Sequence, residues 1–471
     1  MALNWKSLEK IGIQLGQLFI VVAISVAIAG ALIFYQWLGL FVGLVGIGFI
    51  AFVFAAPLQA LLFWLITAPI LDFYLRIPMG QGIPDITFTR VTVVTLFFII
   101  LLQVALNMRE LLPRQKTENC LILFSCLAMV STVFRDTFIQ DMQVFIDGYA
   151  TPFAFFFLAK NLIRKKEDVR LFCYALSIVG FYLAIIGILQ YFADINLFAP
   201  DTLIITHENR AYGPFGNSVS YGGVMAILFF GVFYLYSEVT GFIKKSYILI
   251  TIILTGSAVV LSLTRAVWLS LIVGICLIVY YLPRYRKIIF FFSSVAVIAG
   301  IAVLLFVPSS DLFKERTIEV SPIYSRLALY ATALNTAIHK PLFGYGFGTQ
   351  SFYEASREYL VTFSFIDEHF GLGLTVPHNE FLHILVMLGL VGLMAYVGNF
   401  YSSMKKSKQL YKNSVLNGLY TEKIAVFYWA VFSGFFINCM LVDIMWFSYF
   451  NSLFFIFTGL MESGLFPVQT T

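Results

Sequence analysis

The chain has 471 residues, of which 60% are hydrophobic and 12% charged, with a formal net charge of +5 and a mean hydropathy of +0.89. A water-soluble domain of this length needs far more charge to cover its surface, so that class is excluded. The basic residues sit in short loops between apolar runs, so the positive balance does not point to nucleic acid.

Apolar stretches of about 18 or more residues recur along the chain and read as membrane spans; a barrel would alternate instead. The expected fold class is therefore all-α, a polytopic transmembrane helical bundle. Its first run starts near residue 11 without a small-residue cleavage site and reads as a signal anchor. Runs fall at about 16–34, 38–55, 58–75, 91–107, 118–134, 144–161, 171–192, 217–237, 247–264, 266–282, 288–307, 379–401, 424–442 and 446–463. The second and third are short enough to form one re-entrant element, which gives about 12 to 14 spans.

Basic clusters alternate along this series: Arg109, Arg114 and Lys116; "RKKEDVR" at 164–170; Lys244 and Lys245; "PRYRK" at 283–287; and "KKSK" at 405–408. The positive-inside rule makes these loops cytoplasmic, and with Lys6 and Lys10 both termini fall inside. The loops 76–90, 135–143 and 193–216, the junction at Arg265 and the segment 308–378 then face outward. All five histidines (His207, His339, His369, His378 and His383) lie in or beside these outer loops, as do Arg210, Arg265 and Arg326. Topology explains a cytoplasmic arginine; an outer one needs another reason.

The whole chain, 1–471, reads as a single integral membrane domain, and 308–378 as a long extracytoplasmic loop or lid within it. In that loop "SPIYSRLALYATALNTAIHKP" reads as an amphipathic helix ended by Pro341, and "LFGYGFGTQSFYE" as a glycine turn. The rest reads as a lid over the membrane surface. The five cysteines (Cys120, Cys126, Cys173, Cys276 and Cys439) lie in apolar runs, which favours packing over a disulfide framework.

Arg265, in "SLTRAVWLSL", sits between two runs with almost no loop. An arginine held at that interface is costly unless it is paired or faces water. Its planar fork suits a phosphate or diphosphate, and snorkelling to headgroups is the ordinary alternative. Arg210, in "HENRAYGPFGNSVSYGG", precedes a tight turn at Gly213, Pro214 and Gly216, after which Asn217 or Ser218 can cap a helix. The helix start would add a second anion-attracting element; the alternative is a plain loop arginine. Arg326 opens the amphipathic helix, with a solvated or lipid-facing charge as its alternative. "GYGFG" at 344–348 has no preceding strand, so it reads as a turn that lets the lid approach the membrane rather than a dinucleotide loop.

His378 and His383 lie five apart in "HNEFLH", roughly 140° around a helix at about 100° per residue, which is wrong for a metal pair on one face. No metal or other cofactor is expected. His383 reads as a packing residue. His378 follows Pro377 at the start of a run, where an imidazole suits proton removal from a hydroxyl. Glu380 is either a partner that orients it or a first-turn charge favoured by the helix dipole.

Arg210 before a glycine-rich turn, "LTRAVWLSL" around Arg265, "SRLALYATALNTAIHKPLFGYGFGTQSF" across Arg326 and "PHNEFLHILVMLGLVGL" at His378 occur in this order. Together they resemble the O-antigen ligase and polymerase family of bacterial membrane glycosyltransferases, best over the C-terminal half. The resemblance implies glycan transfer on the outer face of the cytoplasmic (inner) membrane, with no metal or cofactor. It implies an undecaprenyl-diphosphate-linked glycan donor brought by a flippase, and a glycan or lipid-linked acceptor. Arginines at the places of Arg210 and Arg265 bind the diphosphate in such proteins, a histidine at the place of His378 activates the acceptor hydroxyl, and Arg326 matches a recurrent position. Displacement with inversion at the anomeric carbon would follow.

The same residues serve a polymerase, which joins repeat units and works with a chain-length regulator, and a ligase, which moves the finished chain to lipid A-core or another acceptor. Polymerisation is the expectation favoured here, because polysaccharide polymerases also occur in bacteria without lipopolysaccharide. From another class, a lipid-linked oligosaccharide transporter predicts charges inside spans, for which Asp147 in "FIDGYATPF" and Asp443 in "LVDIMWF" are the candidates.

Overall fold

Long runs of Leu, Ile, Val and Phe that cross hydrocarbon have no water to satisfy their backbone, so each must close its own hydrogen bonds as a helix. The computed structural model describes residues 36–79, 85–133, 135–198, 210–287, 321–361, 376–417 and 421–463. Its helices are α1 (Gln36–Ala55), α2 (Pro57–Tyr74), α3 (Phe88–Ala105), α4 (Lys116–Thr132), α5 (Phe138–Phe145), α6 (Thr151–Leu162), α7 (Lys166–Ala193) and α8 (Ser218–Glu238). They continue with α9 (Phe242–Leu261), α10 (Arg265–Tyr281), α11 (Ser321–His339), α12 (Ser351–Ser356), α13 (Glu380–Asn417), α14 (Thr421–Leu441) and α15 (Ser448–Met461). Among the described residues there is no strand, only one antiparallel bridge between Ile77 and Ile86.

Eight helices among the described residues are long and apolar enough to cross a membrane, and three shorter apolar ones accompany them. The all-α polytopic expectation is met, and the runs expected at 16–34 and 288–307 lie outside the described residues. The second and third expected runs are two helices, with Pro57 in the first turn of α2, where its missing N–H costs nothing. A π-helical turn, Ile146–Ala150, joins α5 to α6. The core is aromatic: Trp64 stacks on Phe155 with centroids 3.8 Å apart, and Phe435 on Phe454 at 3.7 Å. Helix α8 is central, with 83% of its span buried, whereas α9 is peripheral at 28%. Cys173 and Cys439 pack inside, while Cys126 and Cys276 are exposed.

The polar contacts gather at two ends. At one, Lys160 Nζ meets Glu118 at 2.6 Å, Arg109 donates to Gln103 at 3.0 Å, and Lys423 pairs with Glu238 at 2.6 Å. The first two lie beside loops read as basic, at 109–116 and 164–170. At the other end lie Arg90 and Asp147, joined at 2.6 Å, and the buried Asp141. Asp141 accepts from Arg135 Nε at 3.0 Å, Thr137 at 2.6 Å and the Thr349 amide at 2.8 Å.

Helix α13 is broken at Gly389, whose φ of 63° and ψ of −165° leave the helical region. The chain from Pro341 to Gly346 fills the break. Amides of Tyr345 and Gly346 donate to Val386 O and Met387 O at 2.9 Å each, and those of Leu390 and Val391 donate to Pro341 O at 2.8 Å and Leu342 O at 3.2 Å. A Cβ on Gly389 would lie 2.3 Å from the Leu342 carbonyl, and one on Gly344 2.5 Å from that of Val386. Both glycines have positive φ, so close approach and backbone conformation together demand them.

Candidate active site

The "PHNEFLH" segment docks, residue by residue, onto the turn that follows α14. Asn379 caps α13, accepting from the Leu382 amide at 3.0 Å, and its side-chain amide donates to Met440 O at 3.0 Å. Glu380 is fully buried. One of its oxygens accepts from the Tyr149 hydroxyl; the other accepts from the amides of Ile444 at 2.8 Å and Met445 at 3.3 Å. Tyr149 belongs to the π turn, a distortion that often marks functional positions. The adjacent Gly148 leaves no room for a Cβ against Met445 O, at 2.6 Å. Two segments distant in sequence are thus locked at one height.

His378 stands apart from its buried neighbours. Its backbone is left-handed, with φ of 52°, an uncommon state for a residue with a Cβ that marks a constrained position. The side chain is 46% exposed, and its Nδ1 lies 3.8 Å from Oδ2 of Asp443, which is 2% exposed. The other Asp443 oxygen is 2.9 Å from His383 Nδ1. Oδ2 has no hydrogen-bond partner among the described residues. The imidazole therefore has a carboxylate behind Nδ1 and its Nε2 edge free of that contact. Burial, the largest influence, holds the His378 pKa below the ordinary imidazole value; Asp443 opposes this, and Arg326 and His383 reinforce it. A neutral ring above a buried carboxylate is able to take up a proton.

Arg326 is half-buried on α11 and acts electrostatically on both His378 and Tyr330. The Tyr330 hydroxyl donates to Met440 O at 3.0 Å and His378 O at 3.3 Å, which ties this helix to the same turn.

Arg265 opens α10, and its height follows from register. Lower on α10, Ser270 donates to Gly434 O at 3.0 Å and accepts from Asn438 Nδ2 at 2.9 Å. Helices α10 and α14 run in opposite senses there. Five residues on from that contact, about 7.5 Å of rise, lie Arg265 on one helix and Asp443 beyond the other. Arg210 reaches the same end by another route. The neighbouring Ala211 amide donates to Leu261 O at 3.0 Å, just before the turn to Arg265. The amides of Tyr212 and Gly213 both donate to Gln190 at 2.9 Å. Asn217 caps α8, accepting from Val219 N at 2.9 Å and Ser220 N at 3.1 Å, so those two amides are already engaged.

The structure thus brings Arg265, Arg210, Arg326 and His378 to one end of the bundle. Glu380 faces Tyr149 and the backbone, and the carboxylate beside His378 is Asp443. Sequence reasoning noticed Asp443 only as a charge in an apolar run. Its pairing needs the fold, since 60 residues separate it from His383. His207 and His369 lie outside the described residues. His339 stacks on Tyr359, centroids 3.9 Å apart.

Two comparisons bear on this end. Residues 250–397 match the family model described as O-antigen ligase; Arg265, Arg326, His378 and Glu380 fall inside the match, Arg210 and Asp443 outside it. A curated protein of Rickettsia conorii, named "Putative polysaccharide ligase", is 28% identical over 174 residues, which cover 36% of this chain and 41% of that relative. The chain thus spans less than half the length of the relative it matches. The resemblance read from the motifs is matched over that stretch: this is a multi-pass membrane protein whose residues 250–397 are similar to the O-antigen ligase family model.

Proposed function

We propose that this protein is a membrane glycosyltransferase that moves a glycan from an undecaprenyl-diphosphate carrier to an acceptor hydroxyl, at the outer face of the cytoplasmic membrane. The observation that carries this reading is His378, half-exposed on a left-handed backbone 3.8 Å from a buried carboxylate, at the end of the bundle that holds three arginines. His378 removes the proton from the acceptor hydroxyl as its oxygen bonds to the anomeric carbon. The bond from that carbon to the diphosphate oxygen breaks, and Arg265, Arg210 and Arg326 stabilise the departing charge. Attack opposite the leaving group inverts the anomeric centre. Asp443 stabilises the imidazolium until the proton leaves. Tyr149 and Glu380 fix the turn that carries Asp443. The donor already bears a good leaving group, so the reaction needs no nucleotide energy.

The acceptor separates two versions. Ligation of a finished glycan is favoured by the descriptions of the matching family and of the relative; polymerisation of repeat units uses the same residues and is the version expected from sequence. A strain lacking the gene separates them on a polysaccharide gel. Long chains stranded on the carrier mean a lost ligase, and single repeat units on the acceptor mean a lost polymerase. In the same strain His378→Ala is expected to fail to restore the pattern at normal protein level; full restoration overturns the mechanism.

A further inference from the structure

The segment around Pro341 joins α11 to the break in α13. Its outward side is apolar: Leu334, Ile338, Leu342 and Phe343 are all exposed, Ile338 by 71% and Phe343 by 65%. On the adjoining face of α11, about 100° around the helix, Ala333 and Ala337 pack with Leu382, Leu385 and Val386 of α13. The spacing of Leu327, Leu334 and Ile338, by seven and then four, keeps one stripe along the helix.

The depth of this stripe follows from α13. The lysines at 405–408 mark one polar boundary of that span. A hydrocarbon layer of about 30 Å corresponds to about 20 residues at a rise of about 1.5 Å, which sets the other boundary near Leu385. Leu390, bonded to Pro341, then lies about 8 Å inside hydrocarbon. A helix broken at that depth is tolerated only where protein satisfies the freed backbone groups, and the chain from Pro341 to Gly346 does so through four hydrogen bonds. The filling segment must therefore share the depth of the break. Its exposed face continues on α13 through Leu390 and Met394, which are also exposed. The two polar residues between Ile338 and Pro341 turn aside: His339 stacks on Tyr359, and Lys340 Nζ lies 4.5 Å from the Tyr345 ring centre.

We propose that residues 334–343 form a re-entrant element whose stripe of Leu334, Ile338, Leu342 and Phe343 contacts the acyl chains of the bilayer. The helix that carries Arg326 and Tyr330 thus stands on a membrane-embedded foot, rather than belonging to a lid that lies wholly on the surface. This inference does not depend on which reaction the site performs.

The test uses the full-length protein in phospholipid bilayers. In a background with the five native cysteines replaced, Ile338→Cys, Phe343→Cys and Tyr324→Cys carry a nitroxide, and collision with oxygen and with a water-soluble nickel chelate is read by electron paramagnetic resonance. Oxygen is expected to dominate at 338 and 343, and nickel, by several-fold, at 324. Equal nickel access at all three positions overturns the proposal, as does dipolar broadening at 338 that shows a second copy covering the stripe. The unsubstituted protein supplies an independent measurement, using a phospholipid with a photoactivatable diazirine on its acyl chain. Labelling of the peptide 334–343 is expected; labelling confined to 390–397 overturns the proposal.

Discussion

Lys160 and His378 sit at opposite ends of the bundle, and the fold handles their charges differently. Lys160 is fully buried, and its ammonium donates to Glu118 at 2.6 Å and to Pro113 O at 2.8 Å. Around it Arg164 donates to Asn161 O at 3.0 Å, and Arg109 to the same carbonyl at 3.2 Å. That network closes on itself. At the other end His378 is half-exposed, and the Asp443 oxygen facing it has no hydrogen-bond partner among the described residues. A buried cation held by a carboxylate and a backbone carbonyl supports structure. An imidazole left open above a buried carboxylate is set up to gain and lose a proton.

The largest expected effect on transfer comes from His378→Ala. Loss of a general base lowers the rate by about 100-fold or more, at unchanged protein level; a purified donor and acceptor in detergent give the measurement. Retained activity would erase the contrast with Lys160. Arg265→Ala follows, at about 100-fold, since a preorganised group on a departing charge contributes that much. Lysine at that position should restore only part of the rate, because the fork is lost.

The pH profile sharpens the comparison. In the proposed mechanism His378 must be neutral, so the rate is expected to rise with pH through a midpoint below the usual value of about 6.5, as its lowered pKa requires. Asp443→Asn removes the one influence that raises that pKa, so the acid limb should move further down, while the maximal rate falls by less than it does for His378→Ala. Arg326→Ala removes an influence that lowers it, so the limb should move up, with a smaller loss of rate. Shifts in the same direction for both variants would contradict the arrangement. The smallest effect on transfer belongs to Lys160→Ala. Breaking a buried ion pair costs stability, about 3 to 5 kcal/mol, which thermal unfolding in detergent will show, while the folded fraction keeps its transfer rate.

Several of these residues could be found in the sequence because each breaks a local rule. Arg265 is a cation between apolar runs, and His378 follows a proline at the mouth of one. Tyr149, Asn379 and Asp443 break no rule strongly enough. A tyrosine and an asparagine are ordinary near a helix end, and one aspartate in an apolar run has several explanations. Their meaning appears only when Tyr149 reaches Glu380, 231 residues away, and Asn379 reaches Met440, 61 away. The glycine turn at 344–348 was legible as a turn, but not as the plug of a broken helix, because nothing local marks Gly389 as its partner.

By itself, the sequence determined the solvent of this protein, the helical state of its backbone and the sorting of its charges between two ends. Those follow from transfer energies and from the need of every peptide group for a partner, which are local properties of each run. Tertiary structure alone decided which carboxylate stands beside His378, which tyrosine holds the turn beneath it, and how far the chain at Pro341 sinks into the bundle. Those are contacts between groups tens or hundreds of residues apart, and their energies exist only once the helices are packed.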